Sequence, residues 1–158
     1  MSFSVRGRAA ATAATADHAV FSFWNPHSTH RIKVISVAMF AQVAPTAGWT
    51  GRFRRISARG TAGSTVTPNS SNHSELAIAP PSGVLLDLAQ FSGQPTLLAS
   101  SVDMLLGYPY PATIGAGIIY PIPGGVIIPP GAGIAYIQVP ATASTAMEVA
   151  ITWLEDWL

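Results

Sequence analysis

The chain reads as all-β: a single β-sandwich, jelly-roll-like, carrying an extended N-terminal arm. Three observations predict this. Fourteen glycines and thirteen prolines among 158 residues punctuate the chain too often for long helices. Apolar and polar residues alternate over short runs, which is the period of a strand with one face in a core. Turn-forming residues return about every ten positions, the spacing of a sandwich or jelly roll. No segment repeats with a period of about 20–50 residues, so neither a solenoid nor a propeller is expected. A chain of this length predicts one domain, able to bury roughly two thirds of its unfolded surface.

Residues 1–16, Met-Ser-Phe-Ser-Val-Arg-Gly-Arg followed by an Ala/Thr run, have too few apolar side chains for a core of their own. They are expected to form the arm, with residues 17–158 as the sandwich domain. Sixteen extended residues reach about 50 Å, far enough to cross a neighbouring subunit. The segment lacks the apolar centre of a secretory signal, although its Ser, Arg and Ala content has some likeness to an organelle transit peptide.

The first strand is expected where Ala19, Phe21 and Phe23 alternate with His18, Val20, Ser22 and Trp24, closed by Asn25-Pro26. Residues 31–42 place Ile32, Val34, Ala38 and Phe40 on one face and Ile35, Val37 and Met39 on the other, as in a central strand covered on both sides. From Trp49 to Arg59, Trp49 and Phe53 share a face with Arg55, while Arg52 and Arg54 point the other way with Ile56. That pattern predicts a strand with a basic wet face. Residues 60–74 read as a polar loop. Further strands are expected at Glu75–Ala79, Val84–Phe91, Thr96–Leu105, Ile114–Ile122, Val126–Ile128, Gly133–Val139 and Met147–Leu154; Leu85–Phe91 fits a short helix equally well. The last strand directs Met147, Val149, Ile151 and Trp153 to one side. Prolines at 109, 111, 121, 123, 129 and 130 suit exposed sheet edges.

Charge is scarce and divided. Only 9% of the residues are charged, against about 25% in an ordinary soluble domain. All eight bases (Arg6, Arg8, Arg31, Lys33, Arg52, Arg54, Arg55 and Arg59) lie in the first 59 residues and are opposed there by Asp17 alone, giving +7. The remaining 99 residues carry six acids and no base, giving −6. This division points to contacts with partners. No charged residue occurs between Met104 and Met147, but seven prolines break that stretch into pieces too short for a membrane-spanning helix, and no membrane partner is expected.

Residues able to carry chemistry are few. The chain has no cysteine, so disulfides, thiolate metal sites and thiol nucleophiles are excluded. His27 and His30 beside Asn25 are two candidate ligands where a metal site needs three or four, and no metal or cofactor is expected. No Gly-x-Ser-x-Gly elbow is present, Gly115-Ala-Gly117 and Gly131-Ala-Gly133 read as turns rather than phosphate loops, and adjacent Glu155-Asp156 reads as a solvated terminus. The chain is therefore expected not to be an enzyme. Arg52, Arg54, Arg55 and Arg59 with Trp49 and Phe53 combine charge with stacking surfaces, as single-stranded nucleic-acid sites do, yet the net charge of +1 favours an acidic protein neighbour and no direct nucleic-acid contact. Asn69 and Asn72 match the N-glycosylation pattern. Trp157 and Leu158 suit either an anchor in a neighbour's pocket or a cap folded over the sandwich's end.

Trp24-Asn25-Pro26 followed by Ile32-Lys-Val-Ile-Ser-Val37, together with Ile128-Pro-Pro-Gly-Ala-Gly-Ile134 and Ile151-Thr-Trp-Leu-Glu155, resembles small virion proteins of tailed bacteriophages. The resemblance covers most of residues 18–156 and is one of pattern. It implies a non-enzymatic jelly roll that decorates or cements the capsid exterior, binding the major capsid protein and itself, as a trimer rather than a dimer. Arg6, Arg8, Arg52, Arg54, Arg55, Arg59, Trp157 and Leu158 are the residues expected to meet partners. A receptor- or carbohydrate-binding module of a tail or spike, with Trp49, Tyr108, Tyr110 and Tyr120 stacking on sugars, is the alternative. A major coat subunit is the third reading.

Overall fold

The computed structural model describes residues 2–44, 49–68, 80, 82–99, 108–110, 117–139, 141 and 143–155. Its elements are strands: β1 (Ser2–Ala9), β2 (Ala19–Asn25), β3 (Ile32–Ala41), β4 (Trp49–Ala58), β5 (Ser64–Val66), β6 (Leu85–Leu88), β7 (Thr96–Leu97), β8 (Tyr108–Tyr110), β9 (Gly117–Ile128), β10 (Ala132–Gln138) and β11 (Met147–Leu154). They form two antiparallel sheets that pack together. The four-stranded sheet has the order β1-β11-β3-β9, and the seven-stranded sheet runs β5-β6-β2-β10-β4-β7, with β8 also paired to β4. With β5 and β6 set aside, and β7 and β8 sharing one place beside β4, this is the jelly roll of two interlocked Greek keys. β5 and β6 extend it beyond β2.

The core lies between the sheets and is rich in aromatic rings. Phe3, Val5, Val34, Val37, Met39, Val149, Ile151 and Trp153 from the smaller sheet meet Phe21, Phe23, Phe53, Leu86, Leu88, Ile134 and Tyr136 from the larger, all of them buried. Trp153 joins the two layers: its ring stacks on Phe3 at 5.8 Å and lies 5.1 Å from Phe23. Tyr136 sits 5.6 Å from Phe21 and 4.9 Å from Phe53. Aromatic side chains bury more area per residue than any others, so a small sandwich closes with few of them.

The N-terminal segment is extended, but it docks on its own sandwich rather than standing free. Ser2–Ala9 pair with Leu154–Met147 along their whole length, burying Phe3, Val5 and Ala9 while Arg6 and Arg8 stay exposed on the other side. The following residues are pinned by a buried polar cluster. Thr12 N donates to Ser144 Oγ and Ser144 N to Thr12 Oγ1, each at 3.0 Å. Thr12 Oγ1 also donates to Gln138 Oε1, and Gln138 Nε2 donates to the Ala13 and Thr15 carbonyls. Alternation of Phe3, Val5, Gly7 and Ala9 with Ser4, Arg6 and Arg8 is the signal that the segment completes a sheet.

Other differences are local. The polar loop expected at 60–74 includes β5, and Leu85–Leu88 is strand rather than helix. From Gly117 onward, the strands expected at Ile114–Ile122 and Val126–Ile128 are one strand, β9, continuous through Pro123-Gly124-Gly125, and residues 114–116 lie outside the described residues. Of the strand expected at Thr96–Leu105, Thr96–Leu97 is strand and residues 98–99 are not, while residues 100–105, Glu75–Ala79, Trp157 and Leu158 lie outside the described residues. In β3 the ladder shifts register between Val34 and Ser36, a bulge at Ile35 that reverses the alternation. Ile32 and Val34 before it, and Val37, Met39 and Ala41 after it, therefore all face the core, leaving Ala38 and Phe40 outward. The strand that seemed covered on both faces is covered on one.

Candidate interaction surface

The two sheets differ in what covers their outer sides. On the seven-stranded sheet, Ser22, Asp87, Ala135 and Ile56 lie on the outward side by register, yet all four are buried. Residues 59–63 connect β4 to β5, and residues 89–95 connect β6 to β7, so each links opposite edges of this sheet. The two connections are tied by the Thr61–Gly93 bridge. Arg59, at the start of the first, reaches the outward-facing Asp87: Nε donates to Oδ2 at 2.7 Å and Nη2 to Oδ1 at 2.6 Å. Thr65 Oγ1 donates to Oδ1 at 2.6 Å as well. A two-pronged guanidinium–carboxylate contact is the strong form of an ion pair. The hydrogen bond to Asp87 holds the Arg59 guanidinium above its ordinary range, against the smaller opposing effect of burial.

On the four-stranded sheet the outer side is open. Its register places Arg8, Glu148, Phe40 and Gly117 in one row and Arg6, Ala150, Ala38 and Ile119 in the next; Ser4, Thr152, Ser36 and Pro121 follow, then Ser2, Leu154, Lys33 and Ile127. Ile119 is 65% exposed, Phe40 40% and Ile127 39%. Three of the five exposed large apolar side chains among the described residues thus share one sheet face. The middle of that face is made of small residues, and its charges stand at the ends and along β1. Sequence reading missed this surface because the Ile35 bulge conceals which residues of β3 point out.

The six arginines expected to meet partners lie on different faces of the sandwich. Arg6 and Arg8 lie on the open face. Arg52 is exposed on the opposite sheet, with Arg54 half-buried on the same outward side. Arg55 points the other way and bridges the sheets at the rim, its Nη1 donating to the Ile127 carbonyl of β9 at 2.9 Å. Arg59 is neutralised by Asp87 within the chain. Arg52 and Arg54 share the outward side of β4, as the expected basic face had them, while Arg55 and Arg59 bond within the fold.

Glu155, expected as a solvated terminal acid, is instead 1% exposed. It accepts hydrogen bonds from Trp153 Nε1 at 2.8 Å, from the Ser82 amide at 2.9 Å and from the Ser82 hydroxyl. The histidines serve a turn. His27 and His30 rings stack at 4.1 Å, and His27 Nδ1 accepts from the Thr29 and His30 amides at 3.1 and 2.9 Å, which fixes that nitrogen as an acceptor rather than a donor. Tyr120 packs toward Phe53, 6.4 Å between rings, away from any sugar platform, while Trp49 and Tyr110 are register partners on adjoining strands. A cavity lined by Thr12, His18, Gln90, Phe91 and Gln94 opens near the start of β2. Its glutamines are engaged with backbone: Gln94 Oε1 accepts from the Ala19 amide at 2.7 Å, and Gln90 Nε2 donates to the Ala11 carbonyl at 2.8 Å.

Compared with known proteins, the chain matches no protein-family model and no curated protein at a significant level.

Proposed function

We propose that this chain is a non-enzymatic structural subunit that associates with itself and decorates the exterior of a bacteriophage capsid by binding the major capsid protein. The observation that carries the reading is the open face of the four-stranded sheet, where Phe40, Ile119 and Ile127 stand exposed around a flat floor of Ala38, Ala150, Ser36 and Thr152. Exposed large apolar side chains gathered on one sheet face of a small domain mark a site that meets another surface. Arg6 and Arg8 border that face along β1, where arginine's planar fork suits carboxylates on a capsid neighbour. Low surface charge fits a protein whose surface is shared with a lattice.

The pattern resemblance to phage virion proteins supports the same reading, and a jelly roll with an aromatic core is consistent with it. Binding of purified protein to undecorated phage shells tests it: saturable addition at hundreds of copies per particle is expected. Indifference to shells would move the reading to a glycan-binding jelly roll, which a glycan screen would check.

A further inference from the structure

We propose that the open face of the four-stranded sheet seats the same face of a second copy of this chain, related by a two-fold axis that runs between the two sheets and across their strands. The inference rests on the reading of the chain as a self-associating subunit and specifies the surface and symmetry of that association.

Edge-to-edge pairing is obstructed along β9 of this sheet. β9 forms one edge and carries Pro121 and Pro123, which have no amide hydrogen to add to a ladder. β1 forms the other edge, and the chain beyond it turns toward the larger sheet, Ala10 N donating to the Ala89 carbonyl at 3.4 Å. The face remains. Four strands spaced about 4.8 Å apart, with about eight residues each, give a face of roughly 500 Å². Two such faces bury about 1,000 Å² in total, the lower bound for a specific interface.

The pattern of side chains selects the axis. Arg6, Arg8, Glu148 and Phe40 lie toward one end of the strands, while Ser2, Ser4, Leu154 and Lys33 lie toward the other. A two-fold across the strands exchanges these ends. Ala38 then meets Ser36 of the second copy and Ala150 meets Thr152, small against small, so the sheets approach closely. Arg8 and Arg6 meet Ser2 and Ser4 rather than each other, and Glu148 comes beside Lys33, twice by symmetry. A two-fold along the strands would instead lay Arg6 and Arg8 over β9, which has no acid. An isologous contact of this kind closes at two copies.

The test uses the full chain. Light scattering is expected to give twice the chain mass for the natural protein. Ala38→Arg, at the centre of the face, is expected to give a single-chain mass with an unchanged thermal melt, while Thr29→Arg in the exposed β2–β3 turn leaves the pair intact. Because the chain has no cysteine, one introduced thiol is unique. A thiol cross-linker of about 10 Å reach, matched to the spacing of packed sheets, is expected to join two chains through Ala38→Cys and not through Thr29→Cys. A monomeric or trimeric natural protein, or cross-linking through Thr29→Cys alone, overturns the proposal. The two readings fail separately: pairs that ignore phage shells leave this inference standing and sink capsid decoration, whereas monomers that coat shells do the reverse.

Discussion

Arg59 and Asp87 form a two-pronged ion pair, at 2.7 and 2.6 Å, that joins the basic half of the chain to the acidic half across the outside of the larger sheet. Asp87 is fully buried there. Removing the guanidinium would leave a buried carboxylate supported only by the Thr65 hydroxyl.

Arg59→Ala is therefore expected to cost about 1–3 kcal/mol in urea unfolding, less than for a fully buried pair, because the Arg59 side chain is 37% exposed and water can partly take its place. Arg59→Met with Asp87→Leu is expected to recover most of that loss, since a packed apolar pair removes the stranded charge.

The same pair predicts a flat pH response. A cation whose folded-state pKa is raised stabilises the fold fully below its unfolded value, and that contribution is lost only as pH rises through the folded value. Both values lie above the working range for arginine. The unfolding difference between the natural chain and Arg59→Ala should be the same at about pH 6 and about pH 9, and a difference that shrinks across that window would show another group to be the partner.

Deleting residues 2–9 is expected to abolish folding. The deletion removes Phe3 from Trp153 and strips β11 of one of its two neighbours. Loss of the near-ultraviolet signal and of a cooperative melt would show this. A well-folded truncated domain would return the segment to the role of a free arm.

Asn25 is buried between two turns. Its Nδ2 donates to the His30 carbonyl at 2.8 Å and to those of Ile128 and Pro129 at 3.4 and 3.3 Å, while Oδ1 accepts from the His27 amide at 3.2 Å. Asn25→Asp puts a carboxylate oxygen against three carbonyl oxygens and is expected to cost more than Asn25→Ala, which itself should cost about 1–3 kcal/mol. Paired thermal melts rank the two.

Glu155→Ala should cost about 2–4 kcal/mol, because Trp153 Nε1 and the Ser82 amide lose a buried acceptor. Glu155→Gln keeps an acceptor oxygen and should cost less. Tryptophan fluorescence is expected to follow the same order.

Much of the sandwich was legible because alternation survives in the sequence wherever one face meets the core. β11 follows its expected faces residue for residue, and β2, β4 and β10 lie within two residues of their expected bounds. Legibility failed where one residue breaks the period. Ile35 bulges out of β3 and hides the open face. Pro123-Gly124-Gly125 looks like an end but is an irregularity inside β9. At the surface, composition gave the charge division but not its use, since pairing Arg59 with Asp87, or aiming Arg55 at the Ile127 carbonyl, depends on contacts between segments distant in sequence. Glu155 was misread for the same reason: its Ser82 partner lies 73 positions away.

The pairing of β1 with β11 also dictates an order of events during synthesis. β1 leaves the ribosome before every other strand described here, and its ladder partner leaves after them all. Phe3 and Val5 must wait in water until Ile151 and Trp153 arrive, so the smaller sheet cannot close before β11 has emerged. Closing the smaller sheet is thus a late step, taken when β11 folds back beside β1.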